Sequence, residues 1–522
     1  GAGTVLVTAG GTLNAAGGIT LASEADSSGV LQIGDGAGSG AVTATSVAGG
    51  AGTATVIFDH TDLGYTFTPP ITGTASVQQI GSGTTILASA NNYTGATTIE
   101  AGTLQAGAAN VLSTASAVTI AAGGTLALAG TDQTVPSIAN AGTVSTLGSS
   151  AGAELTVSGD YAGSGGTLVL GARLGNDASP TDRLVVEGDV SGTTSVSVTN
   201  LGGSGGRTTG DGIEVIAVGG ASPEDAFSGN RIVAGAWDYR LYQGGVGADA
   251  DDGNWYLRSD LSLAAQTYAA WPATLVNFGI ASIGSYRQRT GVWSTGAAGV
   301  TVGDAWVRGF GRGGSASPAG GTPFDQSLGF GQTGVEAELP VALAAPGELK
   351  AGVMATFGRS TADVSATTHG IAGSGTVDTG AFGIGGNLTW TGSGGDLDGV
   401  YVDTVGQITW YDTDFSASDA GSLASTSAVG GAISVEVGKW IEVAKGFAIV
   451  PQTQLAYVAT SAGGFTDRDG TLVDGSSASG FVGRTGIRAE HSRFLGSGPD
   501  DAMRLDAYLL ANLAYAFGGS YA

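Results

Sequence analysis

Three histidines, His60, His369 and His491, are the chain's whole supply of imidazole, and there is no cysteine. A Ser-His-Asp triad would have to use one of the three. The G-x-S-x-G spacing occurs around Ser150 and Ser204. Neither match follows a clear strand and opens a helix, as a nucleophile elbow must. With 95 glycines in 522 residues, such matches arise by chance. The histidines lie in different segments, so they do not form a ligand set. Without cysteine there is no thiolate ligand or thiol nucleophile. His60 follows Asp59 and precedes Asp62 in "FDHTDLG"; a polar chain corner explains that cluster more simply than catalysis. Asp251-Asp252 and Asp500-Asp501 stand among turn residues and read as solvated loops. "GDGAGSG" from Gly34 is single and lacks the later apolar position of Ca²⁺-binding nonapeptides. "GGSGG" from Gly202 lacks the strand-to-helix context of a phosphate loop. The expectation is no catalytic residue, no cofactor and no metal.

The elements behind these residues are short and repetitive. Glycine is far above ordinary usage, proline is only 12, and no three-residue period is present, so collagen is excluded. The composition suits many tight turns between short strands. Charged residues are 12% of the chain, and acids outnumber bases 44 to 19, a net charge of -25. Phosphate backbones would repel such a chain, so no nucleic-acid partner is expected. The absence of cysteine also fits passage through a narrow opening in the unfolded state. No run of about 18 apolar residues occurs, which excludes a transmembrane helix but not a membrane barrel.

From residue 1 to 150 a loose unit recurs. "GTVLVTAGGTLNAAGGITLA" begins at Gly3, "TTIEAGTLQAG" at Thr97 and "AVTIAAGGTLALAG" at Ala117. Each has a short strand, a glycine corner and Gly-Thr-Leu or a variant, at a spacing of roughly 20 residues that signals a solenoid. Asn91 and Asn92 are expected at a corner, where Asn tolerates left-handed backbone. Aromatics thicken later, at Trp237, Tyr239, Tyr242, Trp255 and Tyr256. They are the expected stable folding core of the solenoid.

"AQTYAAWPATLVNFGIASIGSYRQRTGV" (265–292) breaks the strand pattern. Pro272 suits a first helical turn. Leu275, Phe278 and Tyr286 fall on one face, and Arg287 and Arg289 lie near the end, where cations favour the helix dipole. After Trp306 come about nine long alternating segments. Tyr401–Tyr411 puts Val402, Ile408 and Trp410 on one face, with Asp403 and Gln407 opposite. Gln452 and Gln454 share a face, as do Arg484, Arg488 and Glu490. Met503, Leu505, Leu509, Leu513, Tyr515 and Phe517 alternate with Arg504, Asp506, Tyr508 and Asn512. Lipid outside and a polar lumen inside fit this pattern. A soluble sandwich would keep shorter strands. Trp390, Trp410, Trp440 and Tyr411 are expected as interfacial girdle residues.

These segments carry a resemblance. "GSGTTILASANNYTGATTIEAGTLQAG" (81–107) resembles the passenger-associated repeat of autotransporters (type V secretion), and "VIFDHTDLGYTFTPPITGTASVQQIG" (56–81) the segment preceding it. "GTLVLGARLGNDASPTDRLVVEGDVSGTTSVSVTNLGG" from Gly166, "GDGIEVIAVGG" from Gly210, "FSGNRIVAGAWDYRLYQGG" from Phe227 and "NWYLRSD" from Asn254 are similar to the family's autochaperone. "VPQTQLAYV" and "GRTGIRAE" resemble its barrel strands. The fold implied is all-β: a right-handed parallel β-helix passenger, a linker helix through the lumen and an antiparallel transmembrane β-barrel. The divisions are 1–150 for passenger repeats, 151–262 for the autochaperone-like end, 263–298 for the helix and 299–522 for the barrel. Nine strands are fewer than the family's roughly twelve, and single-chain barrels have even numbers. C-terminal strands are therefore expected to be missing, and a solenoid that begins at Gly1 without a cap suggests further rungs upstream, so the chain reads as truncated at both ends.

The functional expectation is an outer-membrane protein that exports and displays its own passenger, an adhesin or surface-contact module. Trp237, Tyr239, Trp255 and Tyr256 would drive passenger folding. Pro272, Asn277, Tyr286, Arg287 and Arg289 belong to the helix, where Asn277 is also the candidate self-cleavage position. It lacks a second Asn and a nearby acid in the helix, so an uncleaved passenger is expected. Asp403, Gln452, Gln454, Arg484, Arg488 and Glu490 would line the lumen. Outer-membrane lipid is the expected partner, together with an unknown surface ligand. The resemblance adds barrel-assembly machinery and periplasmic chaperones. A β-helical glycan-active enzyme would need clustered charged residues, which 1–150 lacks. A surface-layer protein would need neither helix nor long strands.

Overall fold

The computed structural model describes residues 1–289, 304–318, 321–340, 346–392, 399–495 and 503–521, of which 304, 492–495, 503–506 and 518–521 are described by backbone alone. Asp500-Asp501 falls outside the described residues, and the side chains of Met503, Arg504, Leu505 and Asp506 fall outside those described. The chain divides into two compact units, Gly1–Leu261 and Ser262–Ala522.

The first unit is a parallel β-helix. Val77 lies beside Thr97, Thr97 beside Val118 and Val118 beside Ile138, so one turn takes about 20 residues. The strand Thr97–Ala106 shows how the recurring motif makes a rung. Its pairing is interrupted between Ile99 and Ala101, and Gly102 has φ +63°. A Cβ at Gly102 would strike the carbonyls of Gly81 and Gly83 on the rung before. Only glycine therefore turns this corner. The Leu of Gly-Thr-Leu then points inward, and Leu104, Leu126, Val144, Leu168 and Val196 stack rung upon rung, all buried. Burying each such side chain stabilises by about 1.5–3 kcal/mol.

Asn91 takes a different role from the one its type suggested. Neither Asn91 nor Asn92 has positive φ. The buried Asn91 side chain accepts from the Ile71 N–H (2.7 Å) and donates to the Val111 carbonyl (2.7 Å). It joins three rungs, because the stacked corner leaves backbone groups that need partners. The unit ends by abandoning the parallel ladder. Strand Ile213–Val218 pairs antiparallel with Trp255–Leu261, which pairs antiparallel with Trp237–Gln243. This hairpin covers the last rung, whose open edge would otherwise be exposed.

The second unit is an antiparallel sheet of nine strands in sequence order. They are β1 (Asp304–Ala316), β2 (Phe324–Glu338), β3 (Gly347–Thr368), β4 (Ile371–Gly392), β5 (Gly399–Ala417), β6 (Gly421–Ala444), β7 (Phe447–Ala462), β8 (Ser476–Leu495) and β9 (Met503–Tyr521). A short hairpin, Phe465–Thr466 with Leu472–Val473, lies between β7 and β8. Helix α1 (Leu263–Ile283) packs against every strand from β2 to β8, so the sheet curls around it. A four-residue helix, α2 (Tyr286–Arg289), follows. Among the described residues no helix is long and apolar enough to cross a membrane, which says nothing of crossing by strands.

The girdle expectation needs correction. Trp440 and Tyr411 are buried and face inward, Trp440 among Tyr401, Ala448 and Val450, and Tyr411 edge-on to Phe278 at 5.8 Å. Trp410 faces outward. Strand parity decides this: neighbours 410 and 411 must point to opposite faces.

Candidate functional site

The structure concentrates its unusual chemistry inside the curled sheet, along α1 and α2. Ser262 caps α1, its hydroxyl accepting the Ala265 N–H at 3.1 Å. Pro272 therefore lies well inside the helix rather than in its first turn. α1 is buried on nearly all sides, as is expected of a helix enclosed by a sheet rather than laid on one. It stops at Gly284, φ +65°, so Tyr286 belongs to a separate turn and not to the Leu275–Phe278 face.

The two ends of α1 are held by different means. At its start, Tyr268 and Trp271 meet Phe415 edge-on at 5.1 and 5.2 Å, and Tyr268 meets Phe465 of the short hairpin at 5.2 Å. The Trp271 indole donates to Thr413 Oγ1 (3.0 Å), and the Tyr268 hydroxyl to Asp467 (3.2 Å). In the middle, Asn277 Nδ2 donates to Gln326 Oε1 at 3.0 Å, an amide rather than an acid.

At its finish the helix carries unpaired carbonyls and partial negative charge. Side chains of the sheet meet them. Arg484 donates to the Ile280 carbonyl (3.1 Å), Arg308 to that of Ser282 (2.6 Å) and Gln454 to that of Gly284 (2.7 Å). The cations that serve the dipole are thus Arg308 and Arg484, not Arg287 and Arg289. Those two are engaged with acids. Arg287 pairs with Glu490 at 2.6 Å, and Glu490 also takes Arg488 at 3.1 Å. Arg289 pairs with Asp403, whose other oxygen accepts from Thr389 at 2.7 Å. Arg488 reaches Gln452 Oε1 at 3.2 Å and lies over the Trp440 ring. The Tyr286 N–H donates to Glu436 Oε2 (3.1 Å), Tyr401 donates to its Oε1 (2.6 Å), and the two tyrosine rings lie 4.7 Å apart. Arg287, Arg289, Asp403, Glu436, Arg488 and Glu490 are all buried.

Asp403, Gln452, Gln454, Arg484, Arg488 and Glu490 therefore share one interior with Tyr286, Arg287 and Arg289. Sequence reading missed Glu436, Tyr401, Arg308, Gln326 and Asp467. Glu436 had a usable signal: an acid between Val435 and Val437, both outward and exposed, must point inward.

The four aromatics assigned to passenger folding sit on one hairpin but do different things. Tyr239 is fully buried, its hydroxyl within hydrogen-bond distance of the Gly175 (2.6 Å) and Gly206 (2.8 Å) carbonyls. Trp255 lies edge-on to Phe227 at 5.4 Å and donates to Ser222 Oγ at 3.0 Å. Tyr256 instead donates to Asp252 at 2.6 Å, and burial pushes its phenol up to about 12. Trp237 is half-buried and packs on the core's edge. A residue outside this set ties more rungs. Buried Asp182 accepts from the Thr146 hydroxyl (2.6 Å) and from the N–H groups of Gly171, Gly152 and Ala153 (2.8, 2.8 and 2.9 Å).

His60 ends the strand Thr53–His60, at a corner as expected, with its side chain turned inward. It is fully buried, Nε2 at 2.8 Å from Thr85 Oγ1, which donates to Gln79 Oε1 at 2.7 Å. With its hydroxyl proton so used, Thr85 accepts, and His60 carries its proton on Nε2. Burial lowers the imidazole pKa, with Asp62 and Asp59 partly opposing.

Comparison with known proteins matches three segments to family models. Residues 77–106 match the passenger-associated-transport-repeat, 134–241 the autochaperone domain type 1, and 305–522 the autotransporter beta-domain. The chain is 33% identical over 410 residues to the adhesin BmaC autotransporter of Brucella suis biovar 1, covering 70% of this chain and 12% of that protein. It is 27% identical over 391 residues to the autotransporter adhesin AIDA-I of Escherichia coli, covering 70% and 29%. It thus spans a small part of these relatives. Among solved structures, the beta domain of the Bordetella autotransporter BrkA matches at 22% identity and a TM-score of 0.31, covering 41% of this chain and 80% of that one.

Proposed function

We propose, from the premise that this chain belongs to the autotransporters, that its barrel carries its own β-helix to the cell surface and holds it there as an adhesin. Members of this family keep the barrel in the outer membrane and the passenger outside. The observation that carries the proposal is α1, a helix buried on nearly all sides inside a sheet that carries an apolar band on its outer face. It follows the β-helix directly in the chain. A segment in that position is what remains in the lumen after the preceding residues have passed through.

The hairpin bearing Trp237, Tyr239, Trp255 and Tyr256 would fold first outside, and the rungs would add to it in turn. Each rung folded outside opposes return, so no nucleotide-driven step is needed. The adhesin role rests on the relatives named as adhesins. It is a role by contact rather than catalysis, and His60 is spent on the buried Thr85–Gln79 chain. Barrel-assembly machinery and periplasmic chaperones are proposed partners on the same premise. The divisions at 150, 262 and 298 are likewise proposed as functional boundaries.

Expression of the complete gene with its signal peptide in a Gram-negative host tests this. Protease added to intact cells should remove the 1–260 region and leave a heat-modifiable barrel fragment in outer membranes. Recovery of soluble protein, or a passenger that resists shaving, would overturn it.

A further inference from the structure

The strands of the second unit reverse their character part-way along. Phe357 on β3, Phe382 on β4 and Trp410 on β5 are direct cross-strand partners, with ring centroids 5.0 and 5.9 Å apart. All three face outward and are exposed. On one side of this row the outward residues are apolar: Val353, Ile384, Leu388, Ile408 and, on β6, Ile433 and Val435. On the other side they are polar or charged: Arg359, Thr361 and Asp363 on β3, Asp378 on β4, and Asp412 and Asp414 on β5. Arg359 pairs with Asp378, and Ser425 donates to Asp414 at 2.5 Å.

The inward face changes in the opposite sense. On the side where the outside is apolar, the interior holds Glu336, Asp403, Gln407 and Glu436. Where the outside is polar, Ala362, Val364, Val377, Phe415 and Leu423 point in and pack with Leu263, Tyr268 and Trp271 of α1. A second aromatic row, Tyr457–Phe481–Phe517, crosses β7, β8 and β9 at centroid distances of 4.5 and 6.1 Å. Beyond it Ser461, Ser477 and Ser479 face out. Strand tilt in a barrel carries one membrane level to different hydrogen-bond rows.

We propose that lipid contact stops at these two aromatic rows, and that the strand segments beyond them form a water-exposed collar with an ordinary apolar core around the first half of α1. This rests on the membrane reading above. Aromatic rings favour the membrane–water boundary, and charges on a lipid-facing surface are destabilising. A row of rings with aliphatic residues on one side and Arg359, Asp378, Asp412 and Asp414 on the other marks such a boundary. The first half of α1 is then gripped by apolar packing outside the bilayer, and its end is held within the bilayer by hydrogen bonds from Arg308, Arg484 and Gln454, beside the ion pairs of α2.

Because the chain has no cysteine, single cysteines can report depth. Val353→Cys and Ile408→Cys probe the band, Thr361→Cys and Asp414→Cys the collar, each carrying a nitroxide in outer-membrane vesicles. Heat modifiability checks folding, and Ile433→Cys or Ser425→Cys replaces any variant that fails. Collisions with oxygen should exceed those with a water-soluble nickel chelate at the band positions, and the order should reverse at the collar. Oxygen preference at all positions would overturn the collar and leave the membrane reading standing. Nickel preference at all positions would overturn both.

Discussion

The β-helix and the curled sheet use the same alternation of residues with opposite faces inward. In the β-helix, Leu104, Leu126, Val144 and Leu168 point in, and the Thr and Ser between them meet water. In the sheet, Gln332, Asp403, Gln407 and Glu436 point in, and Val353, Ile384, Ile408 and Ile433 point out. Alternation specifies strands, while the medium on each side specifies which face is which. The β-helix has no bilayer to cover apolar side chains, so they cover one another. The sheet has an outer solvent that is itself apolar, and its interior is free to be charged.

The largest test of the contrast removes one buried charge. Asp403→Leu leaves Arg289 unpaired, and breaking such a pair costs about 3–5 kcal/mol. The heat-modifiable form should melt well below the parent's temperature. The double variant Asp403→Leu/Arg289→Met sharpens the question, because apolar replacement of both partners is often neutral or stabilising. If it restores stability yet passenger display stays low, the polar interior serves passage rather than folding. Unchanged display would assign the pair to structure alone.

In the β-helix the matching change is Leu126→Ala, which should lower unfolding stability by about 2–5 kcal/mol in a denaturant titration read by circular dichroism. A loss much below that range would mean that the rungs relax around the hole. Next comes the outer face. Val435→Arg, deeper in the apolar band than the aromatic row at Trp410, should destabilise the sheet by about 2–4 kcal/mol in membranes. Thr119→Arg, on an exposed strand face of the β-helix, should stay within about 0.5 kcal/mol. Equal losses would mean that the two outer faces meet the same medium.

The smallest effect is a pH dependence confined to the β-helix. His60 has a pKa below its ordinary 6.5 in the fold because it is buried. As pH falls through 6.5 the unfolded chain takes up a proton that the folded chain refuses. Stability is therefore complete above that value and declines as pH falls from it toward the lower folded-state pKa. His60→Gln should flatten this part of the melting-temperature profile. A profile identical to that of the parent would show that His60 does not carry it.

Much of the fold was legible because its signals are local. The recurring strand–Gly–Thr–Leu unit fixes a rung, since only glycine has the backbone freedom that Gly102 needs beside Gly81 and Gly83. The alternation at Asp403, Gln452, Gln454, Arg484, Arg488 and Glu490 fixes a common face for each strand. The aromatics near Trp237 and Trp255 signalled packing, but not the antiparallel hairpin that closes the β-helix, because pairing direction depends on which strand arrives next. For the same reason Pro272 and Arg287 were read from helix rules alone, without the sheet that encloses them.

Strand character, rung length and the inward set of each long strand follow from residue type and spacing within a few positions. The chain had to fold before Arg308 and Arg484 met the end of α1, Arg287 and Arg289 found Glu490 and Asp403, and Asp182 reached Thr146 and Gly152. Those partners lie far apart in the chain. Burial in a shared interior makes an unpaired charge or N–H costly, and that cost selects the partner.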